Sequence, residues 1–112
     1  MKVSELVTKL GLRVFSGEEN LERDIDGGYT SDLLSDVMGH LDEGMLWITM
    51  QTHQNVVAVA TLKEASAVLI VNGATPDEET LQKGREEGIP LLGTSLSAFE
   101  ASGRIYPWVH NV

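Results

Sequence analysis

The sequence predicts an α/β protein: a three-layer α/β/α sandwich around a mostly parallel sheet of four to five strands. Three observations carry that expectation. Short apolar runs alternate with segments of helical period along the whole chain, the order that builds a parallel sheet covered by helices. One run, AVLIV at 67–71, is apolar without interruption, as strands buried on both faces are. The 16 residues from Gln51 to Ser66 separate it from the preceding run MLWITM, about the length of a helical crossover between parallel strands.

Taken in order, Val3, Leu6, Val7 and Leu10 share one helical face, Ser4 is placed to cap the start, and Gly11 stands where a left-handed C-cap is usual. LRVF reads as a short strand closed by Ser16-Gly17, and GEENLERD as a loop with Leu21 turned inward. A second short strand opens at Ile25 and is cut by Gly27-Gly28. From there Leu33, Leu34, Val37, Met38 and Leu41 form an apolar helical stripe with Thr30 or Ser31 as N-cap and Asp32 in the first turn. MLWITM is a buried strand, with Trp47 on the sheet face opposite its neighbours. NVVAVATLKEA reads as a buried helix on crossover length in spite of its β-branched content.

Thr75-Pro76-Asp77-Glu78 carries an N-cap, a proline at the first helical position and a capping-box glutamate, opening a helix that stops at Gly88 with Gly84 on its packed side. IPLLG is the last strand. Ser97-Ala98-Phe99-Glu100 repeats the capping pattern for a short helix ending near Gly103, leaving Tyr106, Pro107 and Trp108 in an irregular tail.

A chain of 112 residues holds one core. Seventeen acidic against 8 basic residues give a net charge of −9, which repels phosphate backbones and anionic lipid. No basic cluster is visible along the sequence, so neither nucleic acid nor membrane is an expected partner. The absence of cysteine removes disulfides, thiolate metal sites and cysteine nucleophiles together. No apolar run approaches the ~20 residues of a membrane helix, and the first residues lack a signal-peptide core. The expected location is cytoplasmic.

Open α/β sheets bind ligands at the carboxyl ends of their strands. Three such ends are polar here: Gln51-Thr52-His53-Gln54-Asn55, Asn72-Gly73 with the following Ala74-Thr75, and Thr94-Ser95; Gly28, Ser31 and Asp32 form a fourth candidate. Capping accounts for Thr75, Ser95 and Ser97, whereas five consecutive polar residues at 51–55 exceed what one cap requires. His53 is the only titratable base beside this edge, and residue type alone recommends it for chemistry. Asp32 and Asp36, four apart, would put two carboxylates on one helix face, with no third metal ligand placed by the sequence. His40 and His110 have no readable partners. Phosphate-loop, dinucleotide-binding and nucleophile-elbow motifs are missing, so no cofactor is implied by motif.

The opening VSELVTKLGLRVFSG, the GGYTSDLLSDVM turn and helix, GMLWITMQTHQN, VLIVNGATPDEETLQKGREEGIPLLGTS and the closing SAFEASGRI together resemble the DRTGG domain. That family is related to the N-terminal domain of HPr kinase/phosphorylase and also occurs in phosphotransacetylases and some CBS-containing pyrophosphatases. The resemblance covers about residues 2–106, leaving 107–112 as a tail of a single domain, 1–112. The literal DRTGG string is absent, and Val71-Asn72-Gly73 stands where Thr-Gly-Gly is common in relatives. Without a P-loop no kinase activity carries over. The resemblance implies a non-catalytic accessory domain used for regulation and subunit contact.

The leading expectation is therefore a stand-alone regulatory or ligand-sensing module, homodimeric, binding a small polar metabolite, a nucleotide or a partner protein at the strand-end edge. Tyr106 and Trp108 are the candidate interface residues: aromatics in an irregular tail either fold back on the core or pack against a second subunit, and interfaces favour such residues. Two alternatives belong to other classes: a small enzyme using His53, and a purely structural assembly subunit.

Overall fold

Helix α1 (Val3–Leu10) ends on Gly11, whose left-handed backbone (φ 62°) lets its amide return to the Val7 carbonyl as the sequence predicts. Its start lies two residues earlier than a Ser4 cap would allow. Lys2 holds the cap position, and the Glu5 carboxylate accepts the Lys2 amide at 3.0 Å. In the computed structural model, which describes residues 1–109, the chain continues through β1 (Arg13–Ser16), a 3-10 turn (Glu18–Asn20), β2 (Gly28–Thr30), α2 (Leu34–His40), β3 (Leu46–Thr49) and α3 (Asn55–Leu62). It closes with β4 (Ala67–Ile70), α4 (Glu78–Glu87), β5 (Leu91–Gly93) and α5 (Ala98–Val109).

The strands lie in the order β1-β5-β4-β3-β2. All neighbours are parallel except β1, which runs antiparallel to β5 with Arg13 opposite Gly93. Side-chain alternation splits the core into two layers, because successive strand residues face opposite sides. Leu46, Ile48, Ala67, Leu69 and Leu92 pack under Val3 and Leu6 of α1 and Ala101 and Ile105 of α5. Trp47, Val68, Ile70 and Leu91 pack under Val37 of α2 and Val56, Val57, Val59 and Ala60 of α3. Helix α4 covers the same second face through Gly84, where an added Cβ would lie 2.5 Å from the Ser16 hydroxyl and 2.8 Å from Leu91. These layers are the expected α/β/α sandwich.

Four details depart from the sequence reading. Strand β2 begins at Gly28 rather than ending before it, while Ile25 is buried as a loop residue. Helix α2 starts at Leu34 with Leu33 at the cap position, so Asp32 lies outside the first turn, and Leu33 and Met38 of the presumed stripe are exposed. Asp77, not Thr75, holds the cap position of α4.

The largest difference is α5. It runs through Gly103 and Pro107 to Val109 because Ala101, Ile105, Trp108 and Val109 continue one apolar face at helical spacing onto the sheet. Gly103 meets nothing within 4 Å and costs the helix only about 1 kcal/mol relative to Ala, less than the burial it permits. Tyr106, Pro107 and Trp108 are thus helical, and the tail expected at 107–112 is helix as far as 109. His110 and the remainder of that tail lie outside the described residues. Among the described residues no helix is long and apolar enough to cross a membrane.

Candidate functional site

The parallel strands bring their carboxyl ends to one rim, so the polar turns after β2, β3, β4 and β5 meet there. Gly28 is the exception: it opens β2, opposite Leu46, at the other end of the strand.

The β2–β3 half of the rim is largely satisfied by its own hydrogen bonds. The Asp32 carboxylate accepts both the Thr49 hydroxyl and the Met50 amide at 2.8 Å through one oxygen. Gln51 donates its side-chain amide to the Asp32 carbonyl at 2.8 Å. Ser31 accepts the Leu33 amide, and its carbonyl receives the buried Trp47 indole N–H at 2.9 Å. The Thr52 carbonyl accepts the Asp77 amide and the buried Thr80 hydroxyl, which ties this turn to α4. His53 is exposed, and its Nδ1 accepts the Asn55 amide at 3.2 Å; that is a turn contact, and among the described residues no hydrogen bond or ion pair joins its ring to a nucleophile or carboxylate. Gln54 and Asn55 line a groove between α3 and α4 with Lys83 and Glu87. Of the five polar side chains at 51–55, that of Gln51 fastens the turn after β3 to Asp32, whereas Thr52 acts through its backbone carbonyl.

The β4–β5 half is open. Asn72 and Gly73 both adopt left-handed backbone, at φ 60° and 68°, and their amides are strapped to the carbonyls of Leu96 and Thr94 at 2.8 Å. This pairing holds the two loops side by side. Between them and the start of β1 lies a cleft of about 390 Å³ lined by Gly11, Arg13, Phe15, Gly73, Thr94, Ser95 and Arg104, among others. Gly93 makes room for Phe15, whose ring would lie 2.5 Å from an added Cβ. Of the sequence candidates, Gly73, Thr94 and Ser95 line this cleft, and Asn72 stands beside it. The contributors that sequence reading missed are Arg13, Phe15 and Arg104. Arg13 reaches the rim only because β1 is antiparallel, and Arg104 only because α5 extends past Gly103.

A separate polar cluster joins β2 to α2. The Tyr29 hydroxyl donates to Asp36 at 2.7 Å, His40 Nδ1 lies 3.1 Å from the other Asp36 oxygen, and the Tyr29 and His40 rings stack at 5.5 Å. The hydrogen bond to Asp36 holds the Tyr29 phenol above its ordinary 10.0. The same bond, helped by Ser31 and His40, holds the Asp36 carboxyl below its ordinary 3.8. His40 thus has partners that the sequence did not show. Asp36 is engaged here and Asp32 at the rim, so the two do not form a carboxylate pair, and among the described residues no group of three potential ligands could hold a metal ion.

The sequence matches the family described as the DRTGG domain over residues 5–107. The fold is similar to that in the crystal structure of the CBS and DRTGG domains of the regulatory region of Clostridium perfringens pyrophosphatase, complexed with its activator, diadenosine tetraphosphate. The TM-score is 0.70 at 16% sequence identity, over 91% of this chain and 44% of that one. This chain therefore spans less than half the length of that relative, and at such identity the likeness speaks for the fold. No curated protein matches the sequence.

Proposed function

The chain belongs to the DRTGG domain family, and from that premise we propose that it is a non-catalytic regulatory module that senses a small polar metabolite or nucleotide at the carboxyl edge of its sheet. The observation that carries the reading is the open β4–β5 half of that edge. There, loops held in fixed register by the Asn72 and Gly73 amides surround a cleft of a size that suits a small ligand. Hydroxyls and backbone groups dominate the rim, and the exposed His53 is turned to solvent. That arrangement favours binding over proton transfer, which would need a base within hydrogen-bond reach of a held substrate. The regulatory region of the clostridial pyrophosphatase, of the same family, is complexed with a dinucleotide activator, which makes nucleotides the first ligands to try.

The module acts as a homodimer in this reading. Tyr106 is 49% exposed and Phe99, two turns earlier on the same face of α5, is 89% exposed. Trp108, by contrast, packs against its own core with Lys9 over its ring, so the contact falls to Tyr106 and Phe99.

A thermal-shift panel of nucleotides and polar metabolites tests the sensing role. A ligand present at about 100 times its dissociation constant adds roughly 2.7 kcal/mol to stability. A panel in which nothing raises the melting temperature would contradict the proposal.

A further inference from the structure

We propose that the cleft between α1, the start of β1, the β4–α4 and β5–α5 loops and α5 binds the phosphate groups of a small phosphorylated ligand, held between the guanidinium groups of Arg13 and Arg104. The inference rests on the sensing role proposed above and names the ligand class for that edge.

Charge is segregated across the molecule in a way the sequence conceals. At the amino edge of the sheet five carboxylates, Asp24, Asp26, Glu43, Glu64 and Glu87, against one cation, Arg23, surround a cleft of about 440 Å³. Among the described residues the cleft at the carboxyl edge is lined by two arginines and no carboxylate. Further along the α1–α5 seam, Lys9 on α1 sits 4.7 Å from the Trp108 ring on α5. In a chain of net charge −9, two of the 8 basic residues line this one cleft. Such a local reversal of sign draws small anions.

The two arginines are available. Among the described residues no carboxylate pairs with Arg13. Its guanidinium lies 4.9 Å from the centroid of the Phe15 ring, which orients it and leaves its N–H donors for an acceptor. Arg104 meets Glu100 at 3.7 Å, with both side chains 56% exposed. An ion pair that long and that wet is worth little, and a phosphate, which accepts two parallel hydrogen bonds from one guanidinium, would displace it. Gly11 and Gly73 leave open space where a Cβ would stand, so backbone is accessible on both walls. Thr94 and Ser95 add hydroxyls. A nucleic-acid duplex is a poor occupant: with one charge per ~1.7 Å it would run from this small basic site onto acidic surface.

The test is a calorimetric and ¹⁵N-NMR titration of the full chain with sodium pyrophosphate, ATP and adenosine, all at one ionic strength. Pyrophosphate should move the amides of Gly73, Thr94 and Ser95. Arg13→Gln and Arg104→Gln should each weaken its binding by about tenfold or more, with circular dichroism unchanged, while Lys83→Gln on α4 should leave it unaltered. ATP binding more tightly than pyrophosphate identifies a nucleotide's phosphate chain, and equal affinity identifies inorganic phosphates; both support the cleft. Pyrophosphate binding that survives both arginine substitutions, or that moves amides elsewhere, overturns it. So does adenosine binding at the rim without any pyrophosphate binding, and in that case the sensing role stands. If none of the three binds, the cleft proposal falls, and the sensing role then depends on the wider ligand panel.

Discussion

Replacing Asp32 with Ala removes the single oxygen that both the Thr49 hydroxyl and the Met50 amide use at 2.8 Å. Thr49 is 1% exposed, so its hydroxyl is left as a buried donor; it would still accept the Gln51 amide, at 3.2 Å, but would donate to nothing. Hydrogen bonds to a charged group are each worth about 1.5–3 kcal/mol net, and an orphaned buried donor about 1–3. Because Asp32 itself is exposed and Met50 can turn to water, the sum should lie near the lower end, about 2–3 kcal/mol. For a domain of this size that corresponds to a fall in melting temperature of roughly 8–12 °C. Asp32→Asn is the discriminating partner. Both donors use the same oxygen, so asparagine keeps an acceptor in place and loses only the charge, at a cost of about 1 kcal/mol or less. Urea unfolding followed by tryptophan fluorescence suits the test, since buried Trp47 bonds to the Ser31 carbonyl one residue away. Equal losses for Ala and Asn would refute the geometric reasoning, and so would an Ala variant as stable as wild type.

Three other outcomes follow from the same structure. Asp36 is held below its ordinary 3.8, so the stability it contributes is present above that value and lost as pH falls through the lowered folded value. Tyr29→Phe should therefore lower stability at neutral pH and make its decline on acidification shallower than in wild type; an unchanged slope contradicts the coupling. His53→Ala removes only a turn contact and should shift stability by less than about 0.5 kcal/mol, with ligand-induced stabilisation intact, whereas loss of that stabilisation would move the site to the start of α3. Phe99→Ser combined with Tyr106→Ser should turn a dimer into a monomer by light scattering without loss of helix content, and a double variant that stays dimeric would place the interface elsewhere.

The element order was legible because each segment carries its own period. Leu46 to Thr49 and Ala67 to Ile70 alternate between the two sheet faces, and α3, in spite of four β-branched residues, had to be helical to connect two parallel strands. Local chemistry also fixed α1's end at Gly11 and α4's at Gly88, where left-handed backbone is required. What was not legible depends on contacts between distant residues. The antiparallel placement of β1 sets Arg13 against Gly93, and no local pattern encodes that pairing. Asp32 read as a first-turn acid, but its carboxylate turned to the end of β3, where a buried hydroxyl needed an acceptor. Gly103 looked like a helix stop, and the apolar face from Ala101 to Val109 overrode it. Each correction changes the site: the first and third create the arginine cleft, and the second removes Asp32 from the residues free to meet a ligand.

The most direct test of the sensing role is an amide-resolved NMR titration of the full chain with diadenosine tetraphosphate. The account predicts saturable shifts at Asn72, Gly73, Thr94 and Ser95, with Gly28 at the opposite end of the sheet unmoved. No saturable shift, or shifts confined to the acidic amino edge around Asp24 and Glu64, would contradict it.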